Sequence, residues 1–335
     1  MTTSGKAMTT SAKSMIEFAY DYEQPNRQKA VKAITDLLGA GVVLFTTGRQ
    51  DNVNTALRIA KPDKLISTIV NHRVCSPEYL SRKQIIVPCN SKGQLQAQSF
   101  LPHLTANVGL VLLPLINTDT GIIYDVNDLA DLIKSQTKSL IFTDISAGIK
   151  YLDFSSISKD IELVGIDFRV SSVAPFGALW MRSKPSLNGI LQEGYSDYCP
   201  TAGQLAGMVK AFAKDTTEEY SDCLYNRNLL EKMLETAGFS INGTEFPRVC
   251  NISSVQVPVD GRTLVSLMCK NGVNISEGSN YYNSCMDVSP FMKTIRKDQA
   301  NQNIRFRVSH TNTEDEIKAT VDQLQQCIKI LKELT

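Results

Sequence analysis

The chain has 335 residues, 42% of them apolar and 21% charged, and a net charge of +1. That length can bury a large core, enough for one large domain and a smaller one. The near-neutral balance gives no bulk field to recruit nucleic acid or an anionic membrane, and no apolar run approaches the roughly 18 residues of a membrane-crossing helix.

The first 15 residues, MTTSGKAMTTSAKSM, repeat a short threonine-serine-lysine unit without acids or bulky apolar residues. Residues 1–15 are therefore expected to be a disordered tail; a transit peptide is the rival reading, disfavoured because the stretch lacks arginine. In NRQKAVKAITDLL, Ala30, Ile34, Leu37 and Leu38 share one helical face. GVVLFTT then reads as a buried strand, and LISTIV, QIIVP, VGLVLL, SLIFT and ELVGIDF follow as apolar runs of strand length. Helical patterns such as DVNDLADLIKSQ separate several of them. Strands alternating with helices predict an α/β domain over residues 16–237, with helices on both faces of its sheet. Within it, residues 201–237 are mostly helical. From Gly238 to the C-terminus, strand-like RVCNISSVQVP and IRFRVS alternate with helices, which predicts a small α+β domain over 238–335. Thr313 and Glu316 form a capping box before a stripe of Ile317, Val321, Leu324, Ile328 and Leu331, so the chain ends on an amphipathic packing helix.

Familiar motifs are absent. GAGVVL at Gly39 lacks the third glycine of a dinucleotide fingerprint and runs into a strand, where phosphate binding needs a helix start. There is no Walker loop, no G-x-S-x-G elbow and no HExxH. Eight cysteines without a CxxC pair, and three histidines, give no zinc pattern. Scattered cysteines without a secretory signal suggest a reducing compartment, hence a cytoplasmic location. The sequons at Asn242, Asn251 and Asn274 are then expected to stay unmodified.

Six segments in colinear order carry a resemblance. They are LFTTGRQDNVNTAL (residues 44–57), NHR (71–73), LINTDTG (115–121), FTDISAG (142–148), GSNYYNSC (278–285) and IRFRVSHTNTEDEI (304–317). Together they resemble the class V aminotransferases, and within them the cysteine desulfurases. The resemblance implies a fold-type-I, three-layer large domain with a mostly parallel seven-stranded sheet, a pyridoxal phosphate cofactor and a homodimer with its sites at the interface. It also implies roles. Gly48, Arg49 and Gln50 stand at the turn and helix start that hold the cofactor phosphate. His72 stands where a histidine stacks on the ring, and Asn117 in the segment flanking it. Asp144 matches the acid that keeps the ring nitrogen protonated, Ser172 the serine of the Schiff-base turn, and Arg305 the arginine that takes the substrate carboxylate. The chemistry fits these residue types: a buried acid strengthens the ring as an electron sink, and a guanidinium grips a carboxylate with two prongs.

The match breaks where the reaction would occur. In VGIDFRVSSVAPFGALWMR (164–182) the flanks align, but the segment between them is shortened and holds no lysine. Ala147 replaces a cofactor-contacting glutamine, and SDYC (196–199) replaces the segment that carries a further arginine. Register puts Tyr281 at the nucleophilic cysteine, with Cys285 four residues later. The leading expectation is therefore a non-catalytic homologue that acts by binding a ligand or a protein. One alternative is an active enzyme on an amino or keto acid with noncovalent pyridoxal or pyridoxamine phosphate. Another is a cofactor-free sulfur carrier using Cys285. Buried arginines need an acid or a ligand. Asp144 is the internal candidate, but the expectation is that the pocket stays open and that Arg49 and Arg305 bind a small anion there.

Overall fold

A computed structural model describes residues 25–81, 83–171, 173–183, 200–212, 216–278 and 288–334. Helix α1 (residues 25–38) buries Ala30, Ile34 and Leu38, the stripe its sequence spacing lays on one face, while Leu37 is partly buried. Strand β1 (Val42–Thr46) leads into α2 (Arg49–Ala60), and β2 (Lys64–Thr68) leads through a 3-10 turn to α3 (Pro77–Leu80). There follow β3 (Ile85–Val87), the one-turn α4 (Ala97–Phe100), β4 (Val108–Pro114), α5 (Val126–Gln136), β5 (Leu140–Asp144), β6 (Leu163–Asp167) and β7 (Gly177–Met181). These seven strands form one sheet in the order β1-β7-β6-β5-β4-β2-β3. The run β6-β5-β4-β2-β3 is parallel, and β7 lies antiparallel to both β1 and β6. Because β7 is flanked antiparallel on both sides, β1 points the same way as β6. The C-terminal ends of β1, β6, β5, β4 and β2 thus share one edge, where open α/β sheets place their ligands.

The strands are legible as apolar runs because the sheet is covered on both faces. Every residue of β6 and β7 is buried, and Trp180 of β7 is fully so, its indole N–H donating to the Gly39 carbonyl at 3.2 Å.

Two helices, α6 (Ala202–Phe212) and α7 (Thr217–Thr236), precede a second sheet of β8 (Ser240–Ile241), β9 (Ile252–Gln256) and β10 (Asn303–Arg307). Its order is β10-β9-β8, antiparallel throughout. Helices α8 (Gly261–Lys270) and α10 (Glu314–Glu333) pack on this sheet, whereas α9 (Pro290–Arg296) buries Phe291 and Met292 in the core of the large sheet. The capping box forms as the sequence predicts: Thr313 Oγ1 accepts from the Glu316 amide at 3.2 Å, and Glu316 accepts from the Thr313 amide at 3.1 Å. Ile317, Val321, Leu324 and Ile328 of α10 are buried in the core of the small sheet, with Leu331 packed against its margin. Among the described residues no helix is long and apolar enough to cross a membrane, and no group of three or more His, Cys, Asp or Glu could hold a metal ion. The N-terminal tail, Ser172, the SDYC segment, Tyr281 and Cys285 lie outside the described residues.

Candidate functional site

The shared strand edge gathers most of the sequence-predicted residues. Gly48 ends the turn after β1 and caps α2 with a φ of 130°, a conformation natural to glycine. Arg49 is the first residue of α2 and is buried. Its guanidinium reaches across the edge to the end of β5 and grips Asp144 with two prongs, Nε to Oδ2 at 2.9 Å and Nη2 to Oδ1 at 3.1 Å. Burial disfavours the charge on Arg49, but the adjacent carboxylates of Asp144 and Asp167 outweigh it and raise its pKa.

Asp167, at the end of β6, takes the helix start. Its Oδ2 accepts from the Arg49 amide at 3.2 Å. Arg169 clamps the same carboxylate, Nε to Oδ1 at 2.9 Å and Nη2 to Oδ2 at 2.7 Å. Burial alone would push the Asp167 carboxyl up; the hydrogen bonds from Arg169 and the Arg49 amide, with the charges of both guanidiniums, bring it below its ordinary value. Two residues before Arg49, the Thr47 N–H donates to Asp51 at 3.1 Å. A carboxylate at a helix start is favoured by the same amides and dipole that hold a phosphate. A Cβ at Gly48 would lie 2.0 Å from Arg169 Nη2, so this packing leaves the turn no room for a larger residue.

The remaining positions have structural partners. The Gln50 amide bonds Asn54 along its own helix at 3.2 Å. Asn117 is buried: its Nδ2 donates to the Val70 carbonyl at 3.1 Å, and its Oδ1 accepts from the amides of Asp119 and Thr120. His72 lines the remaining cavity, and its Nδ1 accepts from the Val74 amide at 3.3 Å. Burial, then the charges of Arg49, Arg73 and Arg305, lower its pKa well below the usual histidine value, so it is neutral. Arg305 of β10 donates to the Thr118 carbonyl and, at 3.1 Å, to Ser276 Oγ. Burial lowers its pKa to about 10 despite the charge of Asp119.

Among the described residues, Arg49 borders only a small space, and Arg305 does not line it. The space bounded by Arg49, His72, Cys75, Thr118 and Asp144 is about 10 Å³, room for about one water. Arg49 is answered from inside, by Asp144, and Arg305 by a carbonyl and a hydroxyl. The reason is length: an arginine at the start of α2 spans from β1 to β5 and fills the volume between them.

A pyridoxal phosphate would need an acid free to face its ring nitrogen, free amides at the start of α2 and volume for its ring. In this arrangement both Asp144 oxygens are held by Arg49, the Arg49 amide is held by Asp167, and the space they border among the described residues is about 10 Å³. The residues present do not fit the group. Neither Asp167 nor Arg169 is among the sequence-predicted site residues. The available signal was chemical: a helix start that loses its phosphate needs another anion, and Asp167 is the acid at the neighbouring strand end.

The aminotransferase class-V family model matches residues 12–177. A cysteine desulfurase of Cereibacter sphaeroides is 23% identical over 331 residues, covering 91% of this chain and 85% of that protein. Among solved structures, a NifS-like protein superposes with a TM-score of 0.77 at 20% identity, covering 92% of this chain and 88% of the other. A NifS-like protein from Rickettsia africae gives 0.75 at 15% identity, covering 97% and 91%. The likeness in structure extends over both sheets and makes the fold that of the fold-type-I pyridoxal-phosphate enzymes. The colinear segments, the strand order and the family match together make the chain similar to the class-V aminotransferase family.

Proposed function

We propose that this chain is a non-catalytic relative of the cysteine desulfurases that acts by binding a partner, as a homodimer. The observation that carries the reading is the Arg49–Asp144 pair, which occupies the place where a cofactor ring nitrogen would meet its acid. Asp167 supports it by standing at the start of α2 in place of a phosphate. The sequence adds a third reason, since the turn between Asp167 and Gly177 offers no lysine for a Schiff base. Removing the covalent link leaves retention to ring and phosphate contacts alone, and Asp144 and the Arg49 amide are already engaged within the chain.

The test is direct. Purified protein is incubated with pyridoxal phosphate, reduced with borohydride and mapped by peptide mass spectrometry, and sulfide release from cysteine is measured in parallel. The reading expects no stoichiometric pyridoxyl-lysine and no sulfide above a denatured control. A single dominant labelled lysine, or sulfide release that depends on Cys285, overturns it.

A further inference from the structure

Beside the Arg49–Asp144 pair lies a larger cavity that the site above does not use. It sits where β2 and β3 meet the turn into α3 and the start of α9, and its volume is about 160 Å³. Ile69, Pro77, Ile86 and Pro290 give it apolar walls, and among the described residues none that lines it is charged. The walls are stiff. Pro77 and Pro290 are the first residues of α3 and α9, where the ring fixes the backbone, and isoleucine is restricted at χ1. Stiff walls relax little into the space they border.

Two polar side chains line the same space. Thr68 ends β2 and is 3% exposed, yet its hydroxyl has no hydrogen-bond partner among the described residues. Asn71 spends both amide hydrogens, on Ser67 Oγ and on the Leu112 carbonyl, each at 2.8 Å. Toward a ligand it therefore only accepts, through Oδ1, while a hydroxyl such as that of Thr68 donates or accepts. Cys75 also borders the cavity. Burial foremost, with the Asp144 charge, pushes its thiol up to about 12, so the sulfur stays protonated and unreactive at neutral pH. A buried hydroxyl without a partner is costly, and a ligand that answers it removes that cost.

We propose that this cavity is a binding site for a small uncharged molecule, about the size of a benzene ring, that carries one hydroxyl. The size follows from the volume, since a cavity of about 150 Å³ takes up benzene. The lack of charge follows from the walls: an ion would leave water with no counter-charge to meet it. The hydroxyl follows from the polar pair. It donates to Asn71 Oδ1 and accepts from Thr68, while the ring lies against the two prolines and two isoleucines. Entry is from the β3 side, where Ile86 on the edge strand of the sheet is exposed. Binding is noncovalent, and the site stands whether or not the chain is catalytic.

The experiment uses the full chain. Phenol is the probe, toluene its match without the hydroxyl, and benzoate its charged counterpart. Each is titrated by isothermal calorimetry into the wild type and into Thr68→Val, which keeps the shape of the side chain and removes the hydroxyl. The wild type should bind phenol more tightly than toluene, and benzoate not at all. In Thr68→Val the phenol affinity should fall roughly three- to tenfold, the worth of one neutral hydrogen bond, with toluene unchanged. If that variant fails to fold, the order of the three probes on the wild type decides. The absence of saturable phenol binding at millimolar concentration overturns the proposal. So does a phenol affinity equal in the two proteins, or benzoate binding more tightly than phenol.

Discussion

Arg49 and Asp144 should behave as one energetic unit. The pair is nearly out of water, with side-chain exposures of 9% and 19%. Both carboxylate oxygens are bonded, and Asp144 Oδ1 also takes the Ser146 amide at 3.1 Å. Arg49→Met removes the guanidinium but keeps most of the volume, leaving a carboxylate facing an apolar wall. Breaking one side of a buried pair costs about 3–5 kcal/mol; the residual exposure of Asp144 places the expected loss at the lower end, about 3 kcal/mol. Asp144→Leu leaves the guanidinium unanswered and should lose a similar amount. The double variant, Arg49→Met with Asp144→Leu, removes both desolvation costs together, so it should be close to wild type or more stable. With each single loss near 3 kcal/mol and the double near zero, the predicted coupling is about 6 kcal/mol. Urea unfolding followed by Trp180 fluorescence reads it, because that residue is the chain's single tryptophan and is fully buried in β7 of the same sheet. Additive single effects within about 0.5 kcal/mol of wild type would refute the reasoning, since Arg49 would then not be held on Asp144.

Two further outcomes follow from the same edge. His72 is held neutral by burial and neighbouring arginines, so its folded pKa lies well below its unfolded one. The unfolded chain then binds the extra proton first as pH falls; stability is fully present above about pH 6.5 and declines below it, by at most about 1.4 kcal/mol per pH unit. His72→Gln should flatten the wild-type slope between about pH 6.5 and 5, and an unchanged slope in urea titrations would contradict it. Gly48→Ala should destabilise by about 1–3 kcal/mol, because its φ of 130° is strained for alanine and its Cβ would strike Arg169. A melting temperature equal to wild type would show that the turn is not packed against Asp167 and Arg169.

Most elements of this protein follow from local pattern. The strands of the large sheet are mostly apolar runs because helices cover both faces, which favours apolar side chains there. Helix α10 is set by its capping box and its stripe, both read within a few residues. The edge strand β8 has two residues, too few for any period to register. Asp144 could be placed at a strand end from the run before it, and the missing lysine is a plain fact of the sequence. What Asp144 meets could not be read there. Its partner Arg49 is 95 positions away, and the Asp167 that takes the Arg49 amide is 118 away. The sequence contained the acids, the arginines and the rule that buried charges must be answered. Only the strand order β1-β7-β6-β5, with β1 and β6 pointing the same way, decided that the answer comes from within the chain. That order brings three loops to one edge at side-chain reach, and reach between distant segments is a property of the folded sheet.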